Sequence, residues 1–352
     1  MVLAKLTNWV ESRTAVLEYD NDTIYLYNYS HDEGLEPKSL WIANTKKRIF
    51  NNSSIKADMD KGLQPYMPKE FCEDEAYIKV FKNKESWCLQ WGLEQNSVAV
   101  FYKDNIIAIM PEFSGVSGFW GYSTGATKET PIAWPLLKDN IQINRFLEEK
   151  AFLESWTESI WVSHQENLLS IYRNAYPDNE RYFVADGGLW PNLGIHYSRI
   201  KDLEFLATVG MSQLPMPEFG MVHEDPEEYR QIEIALVFRP LEKIELLAQY
   251  LSGQARFPWH FETHLDHGHT LPCEELLELG SKASFVILVE TASFLSKLSM
   301  PSFNKRGVRL LFMIPIYESE QQFSEKHSTQ ELINKLESKC EDPFDIYRKP
   351  IV

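Results

Sequence analysis

Cysteine is scarce: Cys72, Cys88, Cys273 and Cys340 are the four in 352 residues, and no two form a CxxC pair. Their scatter argues against a disulfide framework or a zinc ribbon. Long apolar runs are missing too, and none approaches the roughly 20 residues a membrane-spanning helix needs. The opening MVLAKLTNWVESRT is broken by Lys5, Asn8 and Glu11, so it lacks the apolar core of a signal peptide, and a cytoplasmic location is expected. Basic residues are outnumbered, 35 against 51 acidic, for a formal charge of −16. That balance speaks against nucleic acid as partner, because phosphates demand a basic face. There is no GxxxxGK[ST] loop and no HExxH pair, and no internal repeat or low-complexity tract.

What is present is an ordinary globular composition, 44% hydrophobic and 24% charged, in a chain long enough for two domains. Residues 1–142 hold 15 basic and 19 acidic side chains, a net of −4; the remainder holds 20 and 32, a net of −12. The acidity therefore gathers in the C-terminal part, where it would steer a basic partner.

The first part reads as β-rich. Ala15–Leu17, Thr23–Tyr29, Ser39–Ala43, Ala76–Phe81, Trp87–Trp91, Val98–Tyr102 and Ile106–Met110 are expected strands, separated by turn signals such as Asp20-Asn21-Asp22. Glycines and aromatics interleave from Gly115 to Gly125, a pattern for close backbone approach or a loop packing its own aromatics. From Ile141 to Ala175 the apolar period becomes helical, and two helices are expected, broken between Ser155 and Ser163. The expected organisation is a β-rich module over residues 1–140 and a second domain over 141–352.

In the second part, strands are expected at Leu203–Val209, Gln231–Phe238, Ala283–Val289 and Gly307–Ile316. Helices are expected at Glu242–Leu251 and Thr329–Lys339, the latter opened by the capping-box sequence Ser328-Thr329-Gln330-Glu331. Helices among strands of mixed spacing predict an α+β, mixed-layer fold. The strand Ile232–Phe238 alternates large apolar residues with others, the period of a strand with one buried face. Between it and Leu203–Val209 lies Leu214–Glu228, a stretch with five carboxylates and no lysine or arginine. Glu218, Glu224, Asp225, Glu227 and Glu228, together with Leu214 and Met216, form the candidate partner-binding set. Carboxylates mixed with exposed methionines suit gripping another molecule better than bond chemistry.

Four of the nine histidines fall within ten residues, in Trp259-His260-Phe261-Glu262-Thr263-His264-Leu265-Asp266-His267-Gly268-His269. His264, His267 and His269, with Asp266, are the donors a divalent metal would use, and they define the alternative reading, a metal-dependent enzyme. Pro258 and Gly268 punctuate the segment, so no helix frames a histidine pair. The plainer reading is a polar segment whose histidines satisfy backbone groups. No cofactor and no metal are expected.

Several segments together resemble the suppressor of fused (SUFU) domain family. His196-Tyr197 introduces Phe205-Leu206-Ala207-Thr208-Val209-Gly210-Met211-Ser212, similar to a family strand that ends in glycine, an apolar residue and serine. Ile232–Phe238 closes with Arg239-Pro240, and the helix at Ile244–Leu251 is followed by His267-Gly268-His269-Thr270-Leu271. Gly307–Tyr317 and Glu320 resemble the late strand and the helix after it. The resemblance spans about residues 155–340 and leaves roughly 1–140 outside it. It implies a mixed sheet flanked by helices and a protein-binding role without known catalysis. In animals such proteins clamp a short transcription-factor segment between two domains, and bacterial members are associated with toxin systems as immunity proteins. The loop after the Gly-Met-Ser element helps clasp the peptide, and by position it corresponds here to Leu214–Glu228. The expectation is a non-enzymatic immunity or antitoxin-type protein. Its acidic loop and an interdomain cleft would hold another protein, such as a basic toxin.

Overall fold

The computed structural model describes every residue except 21, 33, 46–64, 73–85, 186, 188–189 and 218–227. The described residues form two compact units. One comprises Met1–Trp156 with Trp259–Phe261, the other Thr157–Pro258 with Glu262–Val352.

The first unit is built on two sheets. One is an antiparallel meander of β1 (Val2–Thr7), β2 (Arg13–Asp20), β3 (Thr23–Ser30) and β4 (Lys38–Asn44). The other orders β5 (Trp87–Trp91), β6 (Val98–Tyr102), β7 (Asn105–Met110), β8 (Tyr122–Ser123) and β9 (Trp134–Pro135). Leu17, Ile24, Leu26, Leu40 and Trp41 share one core with Val98, Val100, Ala108 and Met110, so each sheet covers the apolar face of the other. The expected strand Ala76–Phe81 lies outside the described residues. In the glycine-aromatic segment, Gly125 lies so close to the Ile42 carbonyl that a Cβ would collide with it. Within the segment, Phe119 meets the ring of Tyr122 edge-on at 5.1 Å. The segment thus makes both the close approach and the self-packing that its composition foretells.

Helix α1 (Ile141–Ser155) starts where the Asn140 side chain accepts the Gln142 N–H at 3.0 Å. It groups with the first unit, burying Phe146 against Phe101, Ile106 and Ile109. The helical period begins near the expected boundary, but the break between the compact units falls after Trp156. Apolar periodicity announces a helix and is silent on which sheet the helix covers.

The second unit opens with α2 (Glu158–Ala175), followed by β10 (Asp178–Val184), β11 (Gly194–Ile200), β12 (Leu203–Val209), β13 (Ile232–Phe238) and α3 (Ile244–Gln254). Then come β14 (Thr270–Pro272), β15 (Phe285–Val289), the hairpin β16 (Ser302–Phe303) and β17 (Arg306–Gly307), and β18 (Arg309–Ile316). Helices α4 (Glu318–Lys326) and α5 (Thr329–Lys339) close the fold. Seven strands form one mixed sheet in the order β10-β11-β12-β13-β18-β15-β14, antiparallel except for the parallel pair β13 and β18. The fold is α+β. Leu168, Leu169 and Tyr172 of α2 and Leu332, Ile333 and Leu336 of α5 pack on Phe205, Ala207, Val209, Ala235 and Val237. The intervening residues of β12 and β13 are buried as well, with α3 against β12 on the opposite face. At the start of α5 the Ser328 hydroxyl accepts the Glu331 N–H at 3.1 Å, the cap that the sequence announces.

Two expectations need correcting. All seven residues of β13 are buried, so the strand does not have one wet face, and Glu233 is enclosed with the rest. Met211, Leu214 and Met216 are 2%, 1% and 0% exposed, so they are core residues and not surface methionines and leucine. They sit between the turn at Gly210, bonded to Glu233 of β13, and the Met216–Arg230 backbone pair.

Candidate partner-binding site

The base of the Leu214–Glu228 segment is built around one carboxylate. Gly210 ends β12 with φ +108°, and a Cβ there would collide with the Asn192 carbonyl oxygen, so only glycine fits. The turn points three consecutive N–H groups at Glu233. Its Oε1 accepts from the Gly210 and Ser212 N–H groups, both at 3.0 Å, and from the Ser212 hydroxyl at 2.6 Å. Its Oε2 accepts from the Met211 N–H at 3.3 Å and the Thr208 hydroxyl at 2.5 Å. Burial raises the Glu233 pKa above the usual carboxylate range, and the hydroxyl and backbone donors oppose that rise. With donors crowding both oxygens, the site is shaped for the ionised form.

The network continues into α2. His164 Nε2 lies 2.9 Å from the Ser212 Oγ. Since Ser212 gives its only proton to Glu233, His164 must donate from Nε2. Burial lowers the His164 pKa to about 4, so the ring is neutral. Serine, histidine and carboxylate are therefore adjacent, but serine stands in the middle and its hydroxyl is fully buried. A nucleophilic triad needs the imidazole between the other two and an accessible hydroxyl, so this arrangement is a brace.

The far side of the segment is fixed as firmly. The Met216 N–H donates to the Arg230 carbonyl at 2.8 Å, and Arg230 Nε donates to the Met216 carbonyl at 2.9 Å. Arg309, at the start of β18, holds its guanidinium 4.8 Å from the centre of the Tyr229 ring. The same guanidinium donates to Asp266 Oδ1 at 2.7 Å and to Glu290 at 2.7 and 3.1 Å. Of the residues singled out from the sequence, Leu214 and Met216 lie in the buried base and Glu228 is exposed beside Tyr229. Glu218, Glu224, Asp225 and Glu227 lie outside the described residues.

The histidine segment meets this site at Arg309. Asp266 is taken by that arginine, and His267 Nδ1 accepts the Glu290 N–H at 3.1 Å. His264 and His269 face each other with ring centres 5.2 Å apart, on the wall of a cavity of about 400 Å³ shared with Ser324, Glu325 and Thr329. Among the described residues no three histidine, cysteine, aspartate or glutamate side chains are placed to hold a metal ion. Sequence reasoning missed Glu233, His164 and Arg309. For Glu233 the signal was there: an acidic residue in the middle of an apolar strand, with a strand ending Gly-Met-Ser before it.

A seven-stranded mixed sheet packed with helices, with a braced turn at one strand end, defines an α+β domain. Residues 191–349, a little under half of the chain, match the family model of the suppressor of fused protein (SUFU). That family is a regulatory, protein-binding one. Similar solved structures include a SUFU homologue of Neisseria gonorrhoeae FA 1090, at 18% identity over 54% of this chain and 98% of that one, with a TM-score of 0.39. The Sufu–Fu complex matches at 12% identity over 53% and 92%, with a TM-score of 0.40. Drosophila Suppressor of Fused matches at 13% over 53% and 51%, with a TM-score of 0.39. No curated protein matches the chain. Among the described residues no helix is long and apolar enough to cross a membrane.

Proposed function

We propose that the chain is a non-enzymatic cytoplasmic protein of the immunity type, which seizes and neutralises a basic partner protein through Leu214–Glu228. The observation that supports the reading most is the pairing of a rigid base with an acidic insert. Both ends of the segment are clamped by buried bonds at Gly210–Ser212 and at Met216–Arg230. The stretch between them carries Glu218, Glu224, Asp225, Glu227 and Glu228 without a compensating lysine or arginine. A preorganised base lowers the ordering cost of binding, and clustered carboxylates accelerate encounter with a basic surface. Leu214 and Met216 act by bracing that base, while the five carboxylates meet the partner.

Lysine substitution of Glu224, Asp225, Glu227 and Glu228 together tests this. Affinity for the partner falls and the salt dependence of its association rate flattens. Unchanged affinity would remove the acidic segment from the interface.

A further inference from the structure

A second recess, in the second unit, lies between α2 and the hairpin β16–β17, with a volume of about 320 Å³, within the range of small-ligand sites. Ser159, Ser163 and Asn167, at successive four-residue steps of α2, form one wall. Phe303 and Asn304 form the other, and His164 lies at the back. In a chain with one residue in four charged, no lining residue carries a charge. The recess is thus equipped with hydroxyls, carboxamides and one imidazole, and offers nothing to an ion.

The imidazole gives the recess its polarity. His164 is 2% exposed and packs on the Phe303 ring at 4.2 Å. Its Nε2 is bound to the Ser212 hydroxyl, whose proton belongs to Glu233. The proton of the neutral ring therefore sits on Nε2, and Nδ1 presents a lone pair. No described residue hydrogen-bonds that Nδ1. An acceptor without a protein partner, on a side chain more than nine-tenths buried that lines an uncharged recess, is open to a donor from outside. The opposite wall is held in place at a conformational cost. The two-residue turn after Phe303 places Asn304 at φ +47° and Lys305 at φ +66°, left-handed positions that glycine fills without strain.

We propose that this recess binds an uncharged amide, a side-chain carboxamide or a main-chain N–H of a partner polypeptide, which donates to His164 Nδ1 and is flanked by Asn167 and Asn304. The proposal rests on the protein-binding reading and adds to it a second contact, one made by hydrogen bonding and not by charge. The bond links the recess through Ser212 and Glu233 to the base of the acidic segment.

The test is a titration followed by the ¹⁵N and ¹H signals of the His164 ring in the full chain. Acetamide stands for a side-chain carboxamide, N-methylacetamide for a main-chain amide, and acetate for a charged group of the same size without a donor. A saturable upfield shift of Nδ1 with either amide, while Nε2 stays protonated, is expected, and the stronger of the two amides tells the source. Acetate is expected to leave the ring unchanged. Ser163→Trp, at an exposed helix position, plugs the mouth and abolishes the amide response. An equal response to acetate, no response to either amide, or a response that survives Ser163→Trp overturns the proposal. Because no partner protein is used, failure here leaves the acidic-segment reading standing, and charge reversal of that segment leaves this titration unchanged.

Discussion

Replacing Glu233 by glutamine isolates the brace beneath the acidic segment. The substitution keeps shape and volume and exchanges one acceptor oxygen for an N–H₂ group. Three donors converge on Oε1, from Gly210 and twice from Ser212, so the amide oxygen takes that side. The N–H₂ group then occupies the Oε2 side, facing the Met211 N–H and Thr208. Thr208 adapts by turning its proton to the Ile234 carbonyl, 3.3 Å away. Met211 cannot adapt, and a buried unsatisfied donor costs about 1–3 kcal/mol. The bonds at Gly210 and Ser212 fall from charge-assisted to neutral, at roughly 1 kcal/mol each. These losses add to about 4 kcal/mol, and the desolvation cost that the neutral amide sheds offsets part of them, leaving a net loss of about 2 kcal/mol, or a drop of ~5 °C in Tm for a unit of this size. Urea unfolding and hydrogen exchange of the Gly210–Gln213 amides measure it. A loss below about 1 kcal/mol, or unaltered protection of those amides, would refute the reasoning that Glu233 organises the turn.

The remaining predictions concern the same brace and the protonation of buried groups. Gly210→Ala combines a left-handed φ with a collision at Asn192, and is expected to destabilise the second unit more than Glu233→Gln does, as read by its Tm. Burial lowers the pKa values of His164 and His196 to about 4. The folded state therefore refuses protons that the unfolded chain takes up below about pH 6.5. Stability of the second unit should fall as pH drops from about 6.5 to 4, by roughly 3 kcal/mol per histidine, and His196→Gln should remove one step from the unfolding profile. In the first unit the sign reverses. Glu149 is buried with Glu94 beside Arg145, and burial raises its pKa to about 7. That contribution is complete below the ordinary glutamate value and is lost as pH rises through about 7. Glu149→Gln should flatten the pH dependence of hydrogen exchange in α1.

Much of the fold was legible because apolar periodicity decides it. Leu203–Val209 and Thr329–Lys339 match the expected elements residue for residue, and the two helices from Ile141 to Ala175 break where the pattern breaks. Strand β10 was missed because DNERYFV lies at the sheet edge and buries little. Strand β11 escaped because His196 and Ser198, which interrupt its apolar run, are buried and hydrogen-bonded to each other at 2.9 Å. The site was half legible. Its acidic segment stands out by composition, whereas its support comes from Glu233, His164 and Arg309, three polar residues on separate elements that only the folded sheet brings together. Burial also reversed the reading of Leu214 and Met216, since composition does not show that the chain here is bonded to Glu233 and Arg230.

The central claim is that Leu214–Glu228 holds a basic partner protein. The most direct measurement is cross-linking mass spectrometry in the native cells, comparing the tagged chain with its Glu224, Asp225, Glu227 and Glu228→Lys variant. The account predicts cross-links from the wild-type segment to lysines of one basic protein, and their loss in the variant while its Tm is unchanged. The same partner captured equally by both, or cross-links that avoid residues 214–228, would contradict it.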